Sequence, residues 1–353
     1  MHEYNVIGLM SGTSLDGVDL AYCHFSENNN TWAFQIHAAE TIPYNDFWKE
    51  TLPKVANFNA QDFFKTHVKY GHYLGKLVSD FMLKNQLSPD FIASHGHTIF
   101  HQPQLGFTCQ IGDGAAIAAA CGLPVVCDFR SLDVALGGQG APLVPIGDQI
   151  LFNEYDFCLN LGGFANISFQ ENNKRIAFDI CPANIVLNPI AREMGYEYDN
   201  KGEKASKGLL NHELLNKLNA LDFYNQKNPK SLGIEWVKTF FNPILDSFPI
   251  SNEDKLRTIC EHIALQIANV ITKGKDKQLL ITGGGAFHTF LISRIEQNCL
   301  IEIKIPNNLT VEYKEALIFA FLGVLRMKNQ VNCLKSVTGA SCDNIGGAVY
   351  MGK

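Results

Sequence analysis

The chain has 353 residues, of which 46% are hydrophobic and 18% are charged, and its formal net charge is −6. These values are typical of an ordinary globular protein and, at roughly 150 residues per domain, predict two domains. They argue against a nucleic-acid or anionic-membrane binder, which usually carries a basic surface. No apolar run approaches the roughly 18–20 residues of a transmembrane helix.

The ten cysteines are scattered along the chain and form no CxxC pair. In a chain of this length, that distribution is typical of small buried side chains in a reducing compartment. The first residues, MHEY, lack the basic flank and apolar core of a secretion signal. The sequence therefore predicts a cytoplasmic protein.

The first predicted element is a strand, turn, strand unit at residues 5–25, read from NVIGLMSGTSLDGVDLAYCHF. Its polar segment, residues 11–19, is longer than the two to five residues that a hairpin turn needs. Consecutive N–H groups around Gly12 would form a concave nest for phosphate oxygens, and nearby hydroxyls would add donors. The alternative is a long hairpin loop whose Asp and Ser side chains bond to the local backbone.

Residues 64–86 place apolar side chains at helical spacing and predict an amphipathic helix, followed by a strand and turn in DFIASHGHTIF. GDGAAIAAACGLPVVCDF predicts a helix of small residues that ends at Gly122, then a buried strand at 125–127. The glycine- and proline-rich segment 136–145 is the best candidate for a hinge.

The second half repeats this alternation of strands and helices. Its predicted elements are two strands around Gly162-Gly163, a strand at 175–180, a helix at 256–270, a strand at 278–282 that ends in three glycines, and an apolar helix at 313–327. Each half thus opens with a strand, glycine-rich turn, strand unit. We therefore expect an α/β protein with two related lobes across a cleft: residues 1–136 and 137–353, with about the last 15 residues packing back on the first lobe.

Three glycine turns in this order predict phosphate binding more strongly than any one of them. Gly162 and Gly163 would bind the same polyphosphate as the first turn, and Gly283 to Gly285 would let a flat adenine and ribose lie against backbone. Other nucleotide motifs are missing from the sequence, including the GxxxxGK[ST] loop and the protein-kinase HRD and DFG set.

Asp179 ends the predicted strand RIAFD, and a carboxylate at a strand end suits a general base. The alternative is an aspartate that caps a turn.

His95, His97 and His101 occupy alternate positions in a predicted strand, which predicts side chains on one side of it. A metal site, polar contacts to a ligand and ordinary hydrogen-bonded histidines all remain open for them.

Arg130 follows the strand VVCDF, where the planar fork of donors on its guanidinium suits a carboxylate ligand. A salt bridge with Asp128 or Asp133 is an equal alternative.

Glu315 is expected at the start of the apolar helix. An acid there stabilises a helix N-terminus for structural reasons alone, and a place in a pocket is the second interpretation.

The stretch GLMSGTSLDGVDLA resembles the signature of the anhydro-N-acetylmuramic acid kinases, bacterial enzymes of peptidoglycan recycling. The resemblance continues in order through SHGHTIFHQP, QIGDGAAIAAACGLPVVCDFRSLDVALGGQGAPLVP, NLGGFANIS, GGGAFH and SVTGAS, over nearly the whole chain. It implies the two-lobed ribonuclease H-like fold of sugar kinases, Hsp70 and actin, with ATP between the lobes. A homodimer is also implied, by the family only.

Site residues follow by position from the resemblance. The implied ATP-binding residues are Gly12, Thr13, Ser14, Leu15, Asp16, Gly17, Val18 and Asp19 in the first loop, Gly162 and Gly163 in the second hairpin, and Gly283, Gly284 and Gly285 in the adenosine turn. Asp179 matches the catalytic aspartate. The implied sugar-binding residues are Arg130, Glu315, His95 and His97. Mg²⁺ would arrive with ATP rather than on a dedicated protein site, with Asp16 and Asp19 as outer contacts.

The family reaction gives these residues their roles. Asp179 would take a proton from water, which attacks the anomeric carbon of 1,6-anhydro-N-acetylmuramic acid. The internal ether opens, and the released sixth oxygen takes the γ-phosphoryl group of ATP to give N-acetylmuramic acid 6-phosphate. In such a transfer the protein positions the reacting groups and stabilises the charge that develops on them.

This sequence departs from the family in two places. The usual D-T-G-P-G-N is Asp179-Ile-Cys-Pro-Ala-Asn184 here, and His97 stands where glutamine is common. Cys181 and Ala183 resist the positive φ that glycine permits. Two alternatives stay open at this point: a kinase for another anhydro sugar such as levoglucosan, and a non-catalytic ATP-driven clamp in the manner of Hsp70 and actin.

Overall fold

A computed structural model describes residues 2–12, 15–29, 31–271 and 276–353. It divides into two compact units: residues 1–151 with 313–353, and residues 152–312. Within the described ranges, no helix combines the length and apolarity needed to cross a lipid bilayer.

Both units contain β-sheet. In chain order, the strands of the described residues are β1 (His2–Ser11), β2 (Gly17–Asn28), β3 (Thr31–Pro43), β4 (Phe91–Gln102), β5 (Phe107–Ile111), β6 (Val125–Cys127), β7 (Phe157–Leu161), β8 (Phe164–Glu171), β9 (Lys174–Pro182), β10 (Gln278–Thr282), β11 (Glu302–Lys304) and β12 (Ala348–Tyr350).

Helices cover both sheets. The α-helices of the described residues are α1 (Asp46–Thr51), α2 (Ala60–Asn85), α3 (Gly114–Cys121), α4 (Ser131–Ala135), α5 (Val144–Leu151), α6 (Asn184–Glu193), α7 (His212–Asn219), α8 (Ile234–Trp236), α9 (Asn242–Asp246), α10 (Asn252–Val270), α11 (Thr289–Cys299), α12 (Asn308–Met327) and α13 (Lys335–Thr338). Short 3₁₀ turns and one π turn lie between them.

The two sheets repeat one topology. In the first unit, β3, β2 and β1 form an antiparallel meander, and β4 and β6 add to β1 in parallel. In the second unit, β9, β8 and β7 form the meander, and β10 and β11 add to β7 in parallel. This repeat confirms the prediction of two related α/β lobes and is the strand order of the ribonuclease H-like fold.

Helices pack on both faces of the first sheet, and successive residues along β1 contact opposite faces. Ile7, Leu9 and Ile92 share a buried cluster with side chains of α2. The intervening positions meet α12 instead: a Cβ on Gly8 would lie 2.0 Å from the carbonyl oxygen of Ala316. Gly8 is therefore glycine because α12 approaches the strand at backbone distance.

Several predicted elements are confirmed closely. The amphipathic helix of 64–86 is α2, which begins at Asn59 with a side-chain cap on the Asp62 N–H. The small-residue helix is α3, and Gly122 ends it at φ +76°, a left-handed value that glycine adopts without strain. The predicted buried face of α10 has its Leu256, Ile259, Ile263 and Ile267 side chains fully buried.

The predicted lobe boundary after residue 136 differs from the division of the structure. The first unit extends to residue 151 because α5 packs against β3, and a Cβ on its Gly147 would lie 2.7 Å from Ile318. The return of the chain to the first unit is also larger than expected, since it includes everything from residue 313 onward. The segment 136–145 is thus an internal loop of the first unit, not a hinge.

A buried ion pair fixes the part of α12 that belongs to the first unit. The Lys314 ammonium lies 2.6 Å from Oδ1 of Asp148 on α5, and both side chains are about 5% exposed. The φ and ψ angles leave the helical range at Tyr313, immediately before this pair. The pair therefore holds the portion of α12 that carries Glu315.

Replacing one member of this pair should cost far more than breaking a surface pair. We expect Lys314→Met to lower the free energy of unfolding by about 3 kcal/mol, because the Asp148 carboxylate stays buried without its cation. Urea denaturation measures this loss, and the further change Asp148→Leu should restore part of it.

The pair between Lys76 and Asp80 is the matched control, because both of its side chains are more than half exposed. Lys76→Met should change the free energy of unfolding by less than about 0.5 kcal/mol. Equal losses for Lys314→Met and Lys76→Met would refute the structural role given to the buried pair.

Candidate active site

The predicted phosphate loop of the first unit joins β1 to β2. Gly12, Leu15 and Asp16 lie in the connection, whereas Thr13 and Ser14 fall outside the described residues. Leu15 has φ +62°, and its N–H lies 3.5 Å from the Gly12 carbonyl oxygen. A left-handed φ is uncommon for a residue that has a side chain.

The last residues assigned to this loop belong to β2. Gly17 is held by packing, since its Cβ would lie 2.4 Å from the Ile42 carbonyl oxygen, and Val18 is fully buried. Asp19 is half-buried, and its Oδ1 accepts a hydrogen bond of 2.6 Å from Thr41 Oγ1. Gly17 and Val18 therefore anchor the hairpin, and Asp16 is its exposed carboxylate.

A chain of buried hydroxyl groups holds the residue from which this loop starts. The Ser11 Oγ lies 2.8 Å from His97 Nδ1 and 2.5 Å from the Tyr44 hydroxyl, which lies 2.5 Å from the Tyr70 hydroxyl. Burial lowers the pKa of His97 to about 4, so its ring is neutral at physiological pH. The network fixes Ser11 at the end of β1, immediately before Gly12.

His95 and Arg130 form a second polar group in the first unit. Arg130 donates from Nη2 and Nε to His95 Nε2 at 2.9 and 3.1 Å, and from Nη1 to the Gly140 carbonyl oxygen at 2.6 Å. The His95 Nδ1–H donates to the Gly96 carbonyl oxygen at 2.9 Å. Burial, followed by the charge of Arg130, lowers the pKa of His95 well below its ordinary value, so the imidazole is a neutral acceptor.

The prediction that His95, His97 and His101 face one way is wrong. His95 packs against Phe319 of α12, His97 packs against Tyr44 and Tyr70, and His101 is exposed beside Thr108. Gly96 has φ +73°, and the pairing of β1 with β4 shifts register there, so the strict alternation of a strand breaks between the first two histidines.

Glu315 lies close enough to Arg130 for their charges to interact. Helix α12 begins at Asn308 but is interrupted at Tyr313, so Glu315 lies in the first turn of the helical segment that follows the break, as the sequence predicts. The side chain reaches solvent, and the protein around it still desolvates the carboxylate enough to raise its pKa, against the opposing charge of Arg130. Desolvation also lowers the pKa of Arg130 to about 10, which leaves it cationic at neutral pH.

The second unit carries the other glycine hairpin between β7 and β8. The Gly163 carbonyl oxygen accepts from the Ala183 and Ile185 N–H groups at 2.8 and 3.1 Å, which ties the hairpin to the start of α6. A Cβ on Gly163 would find nothing closer than 3.8 Å, and its φ is not positive. Neither packing nor backbone conformation requires this glycine, so its surface is open to a ligand.

The three glycines after β10 divide into two kinds. Gly283 and Gly285 pack on the end of β7: their Cβ atoms would lie 2.5 Å from Asn160 Oδ1 and 2.6 Å from Leu161 Cβ. Gly284 has open space, with only the Asn184 side-chain nitrogen at 4.0 Å. The turn after β10 and the second hairpin thus meet at one end of the second sheet.

Asp179 lies within β9 rather than at its end, which corrects the predicted strand bound. The strand continues to Pro182, and a bulge at Ile180 separates the pairs Asn166–Asp179 and Ala165–Cys181. One oxygen of the carboxylate, Oδ2, accepts from the Leu232 N–H at 2.8 Å, and the Asp179 N–H donates to the Lys230 carbonyl oxygen at 3.0 Å. A bulge beside a functional side chain re-aims it, which a regular strand does not.

The carboxylate of Asp179 is half-buried, and its environment favours a base. Desolvation raises the pKa above the ordinary 3.8, and the hydrogen bond from Leu232 opposes that rise only in part. A carboxylate with a raised pKa accepts a proton more readily than an ordinary one.

The departures from the family pattern cause no left-handed strain. Cys181 is buried within β9, and Ala183 has φ −127°, so neither position needs the positive φ of glycine. Leu232 and Lys230 are the site residues that sequence reasoning missed. Their segment, QKNPKSLG, carries only turn-forming composition, and nothing in it marks a contact with Asp179.

Two related α/β units, each with a glycine hairpin on its first two strands, define the class of two-lobed ATP-dependent sugar kinases and their relatives. The anhydro-N-acetylmuramic acid kinase family model matches residues 4–352. The chain belongs to that family.

Named relatives agree over almost their whole length. The anhydro-N-acetylmuramic acid kinase of Vibrio parahaemolyticus is 34% identical, over 95% of this chain and 95% of its own. That of Sulfurovum is 33% identical, over 99% and 100%. Among solved structures, component A of the Acidaminococcus fermentans (R)-2-hydroxyglutaryl-CoA dehydratase is 12% identical, covers 90% of this chain and 96% of its own, and has a TM-score of 0.46.

A methyl group at an open glycine should damage nucleotide binding without damaging the fold. We expect Gly163→Ala to raise the KM for ATP about tenfold, since the methyl occupies the approach of a phosphate oxygen, and to change the free energy of unfolding by less than about 0.5 kcal/mol. Steady-state kinetics and urea denaturation measure the two quantities.

Gly285→Ala is the matched control, because its Cβ would meet Leu161 at 2.6 Å. It should cost about 1–3 kcal/mol of stability. A Gly163→Ala enzyme with the wild-type KM for ATP would contradict phosphate binding at this hairpin.

The buried neutral histidines should make the fold sensitive to acid. Burial lowers the pKa of His97 to about 4 and that of His262 to about 3, from an ordinary 6.5. As the pH falls below 6.5 the unfolded chain takes up these protons first, so stability is full above pH 6.5 and is lost toward pH 4. Each such histidine adds up to about 1.4 kcal/mol per pH unit to the slope.

Urea denaturation at pH 7, 6 and 5 measures this slope. His262→Gln keeps an acceptor for the Tyr224 hydroxyl and a donor for Asn219, the two partners of the histidine, without a group that titrates. Its slope should be smaller by about 1.4 kcal/mol per pH unit. A stability that is flat from pH 7 to 5 in the wild type would disprove the assignment of neutral buried rings.

Proposed function

We propose that this protein opens 1,6-anhydro-N-acetylmuramic acid with water and phosphorylates it with ATP to N-acetylmuramic acid 6-phosphate, in peptidoglycan recycling and amino sugar metabolism. The observation that carries the proposal is the half-buried Asp179, whose pKa is raised by desolvation and whose Oδ2 is held by the Leu232 N–H. Family membership supplies the substrate.

In the reaction, Asp179 is the general base. The Leu232 N–H engages Oδ2, so Oδ1 is the oxygen that takes a proton from water. The water oxygen bonds to the anomeric carbon and the ether bond from that carbon to the sixth oxygen breaks. The sixth oxygen then bonds to the γ-phosphorus, ADP leaves, and Asp179 returns its proton to solvent. Holding base, sugar and phosphate in place is the main contribution of such a site.

Backbone groups would bind the phosphates of ATP. We assign this role to the loop around Gly12 in the first unit and to Gly162 and Gly163 in the second, with Gly284 against the adenosine. Mg²⁺ bound with ATP would neutralise charge on the transferred phosphoryl group. The carboxylates of Asp16 and Asp19 are hard oxygen donors of the kind that Mg²⁺ or its waters prefer.

Arg130 would bind the lactyl carboxylate of the sugar. It is cationic, only partly buried, and held by His95 and Gly140, so its fork keeps a fixed direction. Glu315 would accept a hydrogen bond from the sugar beside it. We assign His95 to holding Arg130, since both of its ring nitrogens already have partners, and His97 to holding Ser11 before the phosphate loop.

We infer that the protein works in the cytoplasm on this small molecule, without nucleic-acid or membrane partners, and as a homodimer as the family implies. The acidic net charge of −6 and the ten free cysteines support the location.

The role of Asp179 is tested by ADP release from ATP with and without 1,6-anhydro-N-acetylmuramic acid, in wild type and Asp179→Asn. We expect sugar-dependent turnover in the wild type and a loss of about a thousandfold or more in the variant, because an amide does not take the proton of water. Levoglucosan is the control substrate, since it offers the strained ring without the amino sugar groups.

The same variant should not lose stability. Its pKa is raised, so the ionised Asp179 is disfavoured in the folded state, and a neutral Asn removes that cost. The thermal unfolding midpoint of Asp179→Asn should equal or exceed that of the wild type. Sugar-independent ADP release that is equal in both proteins would reject the catalytic assignment and favour an ATP-driven clamp.

A further inference from the structure

Asp133 is a fully buried carboxylate that the reaction does not use. It lies in α4, and the groups that donate hydrogen bonds to it are neutral. Its Oδ2 accepts from the Gly140 N–H at 2.8 Å. Its Oδ1 accepts from Thr338 Oγ1, Asn344 Nδ2 and Cys333 Sγ at 2.8, 2.9 and 3.0 Å. Burying a carboxyl group is costly unless its oxygens have hydrogen-bond partners, and these four donors supply them.

The arrangement converges on Gly140. Asp133 binds the N–H of Gly140, and Arg130 binds the carbonyl oxygen of the same residue at 2.6 Å. Gly140 has φ +66°, and its Cβ would lie 2.7 Å from a Val134 methyl, so the residue sits tightly against α4. The Arg130 carbonyl oxygen accepts from the Val134 N–H at 3.2 Å, which ties the main chain of Arg130 to the same helix.

The loop between Arg130 and Gly140 is also closed onto the C-terminal segment. The Gln139 N–H donates to the Thr338 carbonyl oxygen at 2.8 Å, and the Ser341 N–H donates to the Leu136 carbonyl oxygen at 3.0 Å. A Cβ on Gly138 would lie 2.2 Å from Asp133 Oδ2, so the loop folds directly over the carboxylate. Asp133 is the side chain about which this whole loop is arranged.

We propose that Asp133 is the positioning residue that sets the direction of the Arg130 guanidinium, and through it the selectivity of the protein for anhydro sugars that carry a carboxylate. The inference rests on the proposed contact of Arg130 with the lactyl carboxylate. Asp133 acts through Gly140 and does not touch the sugar. Without the fixed Gly140 carbonyl oxygen, Arg130 keeps its charge and its bonds to His95 but loses one of its two anchors.

The test uses Asp133→Asn in the full chain. An amide in place of the carboxylate puts a donor NH₂ group against either Gly140 N–H or the three donors on the other oxygen, so one side of the network is broken in both orientations. The readout is the ratio of dissociation constants for 1,6-anhydro-N-acetylmuramic acid and 1,6-anhydro-N-acetylglucosamine, which differ in the lactyl group. Thermal unfolding and the dissociation constant for ATP are measured beside it.

We expect the wild type to prefer the carboxylated sugar, and both Arg130→Gln and Asp133→Asn to reduce that preference by about tenfold, the size of one lost charge-assisted hydrogen bond. Adding Asp133→Asn to Arg130→Gln should change the ratio no further, and ATP binding should stay at the wild-type value. A general loss of stability would weaken the binding of both sugars together and leave their ratio unchanged.

The outcomes separate the two proposals. If Arg130→Gln loses the preference and Asp133→Asn keeps it, the positioning role of Asp133 is overturned while the proposed role of Arg130 stands. If the wild type shows no preference, or Arg130→Gln retains it, the contact of Arg130 with the carboxylate fails and the inference fails with it. Should Asp133→Asn not fold, Thr338→Val removes one of the four donors, and an unchanged ratio in that variant counts against the proposal.

Discussion

A single backbone amide holds the carboxylate of Asp179, on which the proposed reaction depends. The Leu232 N–H lies 2.8 Å from one oxygen of Asp179, and the Lys230 carbonyl oxygen accepts from the Asp179 N–H, so a loop about fifty residues away in sequence fixes both the side chain and the main chain of the base that we propose. Desolvation raises the pKa of this carboxyl, and the amide limits that rise. The net effect is a carboxylate that is more basic than an ordinary aspartate.

Glycine serves two different purposes around the second sheet, and the space at each Cβ separates them. Gly283 and Gly285 are glycine because β7 leaves no room for a side chain, which brings the turn after β10 against the hairpin after β7. Gly163 and Gly284 have room for a Cβ, so packing does not explain their smallness, and the open space agrees with the ligand contact that we propose. In the first unit, Gly17 is likewise glycine because of packing, in this case against β3.

The sequence alone predicted the two related lobes, because hydrophobic periodicity and punctuation by glycine are local signals. It placed α3, Gly122 and β6 to the residue or nearly so. The sequence-based prediction failed where long-range contacts determine the structure. The segment 136–145 has the glycine- and proline-rich composition of a hinge. Its hydrogen bonds to Asp133 and to residues near 340 make it an internal loop instead. The two-residue spacing of His95 and His97 predicted that both side chains lie on one face of the strand. The positive φ at Gly96 breaks this alternation and separates them. The contact of Leu232 with Asp179 has no sequence signature.

The central claim is that Asp179 directs water at the anomeric carbon while the sixth oxygen takes the phosphoryl group. Turnover in water enriched in oxygen-18, followed by mass spectrometry of the fragmented product, tests it most directly; product made in ordinary water and then incubated in enriched water corrects for exchange. We expect one labelled oxygen on the anomeric carbon and none in the phosphoryl group. Label in the phosphoryl group, or an unlabelled anomeric oxygen, would contradict the account.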